Sequence, residues 1–345
     1  MNRAAPAGGG KPRVLVTRNI PAQSLALLAP HFEVDYRDRA TPIPRSEFLR
    51  RARAADAVLC LLTERIDTRF FEAASRARIV ATFSVGLDHV DVAGATRRGV
   101  LVTHTPGVLT ETCADFTWAL LLAAARRVVE GDRLMRAGRY KGWDPLMLLG
   151  TDVHGKTLGV VGFGRIGQAV ARRAAGFDMR VLYSDVRPVP GAVEADLHAQ
   201  HVDLDVLLRE SDFVCLHTVL DQTTYHLLDA RRLRLMKPGA YLINGARGPI
   251  IDEQALVRAL KDGWIRGAAL DVYEREPRMA PGLARQANAV LVPHLASASL
   301  ETRDAMGRLA AGSIVEYLVY GKVPPNAANP QAAQAGLGRP AASGA

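Results

Sequence analysis

The sequence predicts an α/β protein built on two doubly wound parallel sheets, with one domain inserted into the other. Three observations carry that prediction. Short apolar, often β-branched runs alternate with Ala-rich helical stretches along most of the chain. A glycine turn at 162–167 joins one such run to a helix. The length, 345 residues, exceeds the ~250–300 at which a single core stops growing.

The elements follow in order. Residues 14–16, 57–62, 79–82 and 100–102 read as strands of the first domain. Thr110-Glu111, after Pro106-Gly107, opens a helix expected to reach about Met135. Its middle is apolar all round, which predicts burial. A cleaner alternation follows, with a strand at 157–161, a helix at 166–175 and a strand at 180–183. Further strands are expected at 213–216, 241–244, 268–270 and 290–292, and a last helix at 300–320. Residues 108–297 thus form a nucleotide-binding domain inserted into a substrate domain of 11–107 plus 298–325. Residues 1–10 and 326–345 are rich in Ala, Gly and Pro and are expected to be disordered tails.

Composition narrows the function. With 48% hydrophobic and 23% charged residues the chain is not a disordered one. Cys60, Cys113 and Cys215 lie far apart and form no CxxC pair, which fits a cytoplasmic location. No apolar segment resembles a secretory signal, and the most apolar stretch, 118–125, is far short of the ~20 residues of a membrane span. The net charge of +9 invites a nucleic-acid partner, but only six of the 44 basic residues are Lys and the Arg residues are scattered without interleaved aromatics. A small anionic ligand accounts for such a field without a polymer or membrane partner. No His spacing matches a metal site.

Gly162-Phe163-Gly164-Arg165-Ile166-Gly167 has the GxGxxG form between a strand and a helix. Its first Gly permits the tight turn, the second close approach of a pyrophosphate, and the third close helix–strand packing. Asp185 ends the next strand, 18 residues past Gly167. A carboxylate there accepts from ribose hydroxyls of NAD(H) and repels the 2′-phosphate of NADP(H). Arg187 leaves NADP(H) open.

Three later segments each end an expected strand: Asn244-Gly245-Ala246-Arg247-Gly248, Asp271-Val272-Tyr273-Glu274-Arg275-Glu276 and Pro293-His294. In open parallel sheets ligands bind outside the carboxyl ends of the strands. An Arg, a Glu and a His there converge on one place, although each alone also reads as a surface charge or a packed imidazole.

Together these motifs resemble the D-isomer-specific 2-hydroxyacid dehydrogenase family. The resemblance rests on GFGRIGQAVA, LINGARGPIIDEQAL, GAALDVYEREP and PHLASAS, in that order, and extends from Ala57 to Asn326. Within the family the chain is most similar to the glyoxylate/hydroxypyruvate reductases, notably in LLTERID and KGWDPLMLLGTDVHGKTLGVVGFGRIG. The resemblance implies two Rossmann-like domains around a cleft and reduction of a small anionic 2-oxo acid to the D-2-hydroxy acid. It makes Arg247 the residue that binds the substrate carboxylate and polarises the carbonyl, His294 the general acid/base, and Glu276 its partner. Val85 and Gly86 hold the carboxylate through backbone N–H groups, and Leu61 with Leu62 walls the pocket. Asp271 contacts the nicotinamide amide, and Gly245 and Ala246 lie along the cofactor. Cys113 departs from a common Thr near the nicotinamide. His217-Thr218-Val219-Leu220 departs from a run usually ending Pro-Leu beneath the cofactor. Trp143 matches a Trp that reaches a neighbouring subunit's substrate site, and a homodimer is implied. Other substrates of the family, such as 2-ketogluconate, 3-phosphoglycerate, phosphite or formate, stay open, as does a non-enzymatic NAD-sensing corepressor.

Overall fold

The computed structural model describes residues 10–333. They fall into two compact units, one running to Leu109 and resuming at Ser299, the other Thr110–Ala298.

In the first unit β1 (Arg13–Val16), β2 (Glu33–Tyr36), β3 (Ala57–Cys60), β4 (Ile79–Thr82) and β5 (Leu101–Thr103) form a parallel sheet of order β2-β1-β3-β4-β5. Leu15, Val58, Cys60, Val80 and Val102 pack on one side with Phe48 and Phe70. Strand β2, which hydropathy does not predict, sits at the edge with a polar Glu-Val-Asp-Tyr sequence. An edge strand has one neighbour and one exposed rim, so it needs no apolar run. The Leu300–Leu318 helix returns to this unit and packs on the Ala22–Leu28 helix. A Cβ on Gly307 would lie 2.0 Å from Ser24 Oγ, so glycine permits that approach.

The C-terminal tail expected from 326 is corrected over 326–333. Asn329 is 0% exposed. Its Oδ1 accepts the Val102 N–H at 2.7 Å, and its Nδ2 donates to Val100 O at 3.0 Å and Thr96 Oγ1 at 2.9 Å. Asn326 donates to His104 O at 2.6 Å. Polar satisfaction, together with burial of the small Ala332 and Ala333, ties this segment down, so composition does not betray it. The remainder of the expected tails, 1–9 and 334–345, lies outside the described residues.

The second unit holds β6 (Thr157–Val161), β7 (Arg180–Ser184), β8 (Ala199–His201), β9 (Phe213–Leu216), β10 (Tyr241–Asn244), β11 (Gly267–Leu270) and β12 (Ala289–Leu291). All pairs are parallel, in the order β12-β11-β10-β9-β6-β7-β8. Alternate residues feed two cores. Val160, Cys215 and Ile243 face Trp118 and Val170, whereas Val161, Val214 and Leu242 face Leu256 and Ala259. Covering both faces explains the continuous apolar runs. Edge strand β8, a polar Ala-Gln-His, is again missed by hydropathy.

The single helix expected from 110 to 135 is two, Thr110–Ala125 and Val128–Arg136, broken at Arg127 with φ 53°. The returning chain causes the break: the Thr151 N–H donates to Ala125 O at 2.8 Å. A Cβ on Gly150 would come within 2.4 Å of that carbonyl.

In each sheet the strand order reverses beside one strand, β1 in the first unit and β6 in the second. The reversal opens a crevice at the carboxyl ends, where the loops that follow carry the residues singled out above.

Candidate active site

The glycine turn leaves β6 with three different constraints. Gly162 has φ +89°, and a Cβ there would lie 2.4 Å from Thr218 N. A Cβ on Gly167 would lie 2.3 Å from Gly162 O, so the helix can pack only against bare backbone. Gly164, by contrast, would meet nothing within 4 Å. It caps the Arg165–Ala174 helix without any side-chain bond. An open backbone at an uncapped helix start suits a pyrophosphate. Arg165 is exposed and Ile166 half-buried beside it.

Phe163 is buried and stacks on Tyr183 at 4.0 Å between ring centres. Its N–H donates to Asp185 Oδ2 at 2.6 Å, and the Val186 N–H to Oδ1 at 2.7 Å. Asp185 therefore ties the turn to the end of β7. On the other side the His217 N–H donates to Val161 O at 2.7 Å. Burial pushes the His217 imidazole down to about 4, so it is neutral at neutral pH. Thr218 is half-buried and Val219 exposed. The surfaces match a dinucleotide: an open glycine backbone and a carboxylate one strand over.

Beyond β10 the side chain of buried Asn244 shapes the next turn. Its Oδ1 accepts the Ala246 N–H at 3.0 Å, and its Nδ2 donates to Arg247 O at 2.9 Å. Gly245 faces Thr117, whose hydroxyl donates to Cys113 O at 2.8 Å, which places Cys113 one helical turn away. Arg247 donates to Ala246 O at 2.8 Å. A Cβ on Gly248 would lie 1.9 Å from Tyr273 C. Glycine alone brings the Arg247 turn onto the loop that carries Glu276.

That loop meets the one after β12. His294 Nδ1 and Glu276 Oε2 are 3.1 Å apart, and Glu276 Oε1 accepts the Tyr273 N–H at 3.1 Å. Burial opposes ionisation of Glu276, but its bonds to His294 and the Tyr273 N–H, with the charges of His294 and Arg247, hold its carboxyl below the usual value. Arg247, Glu276 and His294 thus form one electrostatic group. With Nδ1 engaged, Nε2 is the imidazole atom left for proton transfer.

The resemblance implies a nicotinamide contact for Asp271, and the structure shows what else this side chain holds. Asp271 is 0% exposed. Its two oxygens accept the Leu295 and Ala296 N–H groups at 2.5 and 2.8 Å, and its carbonyl accepts the His294 N–H at 2.8 Å. Asp271 thus holds His294, which sits at φ 56°, in place.

In the first unit, Leu61, Val85 and Gly86 follow the carboxyl ends of β3 and β4. Glu64, which sequence reasoning did not single out, organises the first of these loops. Buried, it accepts the Leu61 N–H, the Thr17 hydroxyl and the Thr63 hydroxyl, each at 2.7 Å. His104 Nδ1 donates to Val85 O and the Ser84 hydroxyl to Gly86 O, both at 2.9 Å. Trp143 is not brought to the Arg247 group within this chain. It is 81% exposed, near Leu146 at 76%. Among the described residues no cluster of three His, Cys, Asp or Glu could hold a metal. No helix there is long and apolar enough to cross a membrane.

A doubly wound sheet with this glycine turn, and an Arg–Glu–His group at neighbouring strand ends, defines a nicotinamide-dependent dehydrogenase. The family described as "D-isomer specific 2-hydroxyacid dehydrogenase, NAD binding domain" matches residues 118–296. A glyoxylate reductase of Korarchaeum cryptofilum is 51% identical over 324 residues, 92% of this chain and 96% of the relative. One of Thermococcus gammatolerans is 49% identical over 323 residues, again 92% and 96%. Among solved structures, a protein of Thermus thermophilus superposes with TM-score 0.86 at 46% identity, over 92% of this chain and 99% of that one. An NADPH-dependent glyoxylate/hydroxypyruvate reductase of Sinorhizobium meliloti, solved with NADP and malonate, gives 0.82 at 32%, over 93% and 98%. The chain belongs to the D-isomer-specific 2-hydroxyacid dehydrogenase family and is an oxidoreductase of that kind.

Proposed function

We propose that the protein reduces glyoxylate or hydroxypyruvate to the D-2-hydroxy acid. The observation that carries this reading is the His294–Glu276 pair, 3.1 Å apart, under the charge of Arg247. Bound NADH or NADPH supplies the hydride to the carbonyl carbon. Arg247 donates to the substrate carboxylate and carbonyl oxygen together, a geometry for which a planar guanidinium is suited. His294 gives its Nε2 proton to the carbonyl oxygen, and Glu276 holds the ring in orientation through Nδ1.

Asp185 favours NAD(H), since a carboxylate beside the ribose repels a 2′-phosphate. The names of the relatives favour glyoxylate over the family's other substrates. The test is NADH and NADPH oxidation against a panel of 2-oxo acids, for wild type and Asp185→Ser. Wild type is expected to turn over glyoxylate or hydroxypyruvate best and to prefer NADH. The variant should move the NADH/NADPH ratio by at least about fivefold toward NADPH, since a one-charge difference at short range exceeds ~1 kcal/mol. A ratio unmoved by the variant removes Asp185 from cofactor choice, and a panel without activity removes the reading.

We further propose a homodimer through the 128–149 region. Val128, Met135, Trp143, Leu146 and Leu149 are all exposed there, and clustered exposed apolar groups mark association sites. Trp143 would then serve the substrate pocket of the other copy. Sedimentation equilibrium at micromolar concentration should give twice the chain mass, and a monomer would sink both ideas.

A further inference from the structure

We infer that Glu253 is a positioning residue for the reaction, clamping both ends of the 274–280 loop so that Glu276 meets His294. The inference rests on the reading of Glu276 as the partner of His294. Glu253 opens the Glu253–Lys261 helix, yet it is not needed to cap it, because Asp252 accepts the Ala255 N–H at 2.9 Å. Its carboxylate turns to the neighbouring loop instead. Oε2 accepts the Glu274 N–H and Oε1 the Ala280 N–H, each at 3.1 Å. The Glu253 N–H in turn donates to Glu274 Oε2 at 3.4 Å. One side chain therefore fixes residues two before and four after Glu276.

Glu253 is 4% exposed. Burying a carboxylate is costly unless its bonds require it. Burial raises its pKa, the two N–H groups oppose that, and the charges of Glu274 and Glu276 add to it. An acid in so unfavourable a setting has a local task, and the segment it grips is the loop of Glu276. His226 Nε2 lies 3.4 Å from Glu274 Oε1 on the same loop.

The test compares wild type, Glu253→Gln, Glu276→Gln and the double variant, on the 2-oxo acid that wild type reduces best. Glutamine keeps one acceptor but opposes the second N–H with its own NH2. Glu253→Gln is expected to lower kcat by about tenfold, with the KM for NADH within about twofold of wild type. Its pH profile should shift in the same direction as that of Glu276→Gln. Added to Glu276→Gln, it should cost less than about twofold more, since two residues acting through one contact are not additive. Amide exchange at Glu274 and Ala280 should quicken in Glu253→Gln, a readout that needs no turnover. Unchanged kcat, or fully multiplicative losses, would overturn the inference. If Glu276→Gln itself leaves turnover intact, the positioning role falls with the reading of Glu276, and the exchange data show whether the clamp was still present. Should Glu253→Gln fail to fold, Glu253→Asp, which keeps the charge on a shorter arm, is expected to give a smaller kcat loss with the same non-additivity.

Discussion

His294→Asn is expected to lower kcat for 2-oxo acid reduction by ~10²–10⁴-fold, the usual contribution of a positioned general acid. Asparagine can still accept or donate toward Glu276, so the loop after β12 should keep its path, held by Asp271 through Leu295 and Ala296. What is lost is a proton on Nε2 at the moment the carbonyl oxygen gains charge. Because that interaction belongs to the transition state, kcat and kcat/KM should fall together and KM should hardly move. NADH binding, measured by fluorescence titration, should be unchanged, since the glycine turn is built from β6 and β7 and His294 takes no part in it. Equal turnover by the variant would show that another group delivers the proton.

The second large effect is expected at Arg247. On the proposed reading, Arg247→Gln removes two charge-assisted hydrogen bonds to the substrate, each worth ~1.5–3 kcal/mol. Together they predict a fall of ~10²–10⁴-fold in kcat/KM. The loss should appear in both KM and kcat, because the guanidinium binds the carboxylate in the ground state and the developing oxyanion later. Arg247→Lys should restore only part of it, since an ammonium cannot serve both oxygens in one plane. There is a second route to damage. The charge of Arg247 is among the causes that hold Glu276 ionised, so Arg247→Gln, which removes that charge, should also lose activity toward the acid side, where Glu276 begins to protonate, whereas Arg247→Lys keeps it. A pH profile of kcat over the acid limb checks this, and an unmoved limb would separate Arg247 from Glu276.

Much of the site is legible in the sequence because backbone chemistry writes it there. The three glycines of 162–167 occupy three distinct situations: a positive φ, an open surface and a contact with bare backbone. Backbone geometry requires glycine at Gly162 and Gly167, whereas at Gly164 it leaves the surface open to a ligand. The strands of the second sheet are buried on both faces, which gives them apolar runs that read plainly. The edge strands β2 and β8 escape because one rim is free and polar residues are tolerated. The split of the 110–136 helical region escapes because its cause, the Thr151 N–H reaching Ala125 O, lies far along the chain. Asn326 and Asn329 escape because a polar side chain with all its bonds made looks, in composition, like a tail.

The sequence by itself determined the class of fold, the nucleotide turn, and the residue types able to hold a carboxylate and move a proton. Those properties are local: a φ, a periodicity, a pKa near neutral. The tertiary structure decided which of those residues meet and which are buried. It placed Glu276 against His294 and withdrew Asp271 from the surface. It also turned Glu253 onto the 274–280 loop, which belongs to another motif, and buried Glu64 within its own. Such roles depend on which buried N–H groups need an acceptor, and that is settled only when distant strand ends are brought side by side.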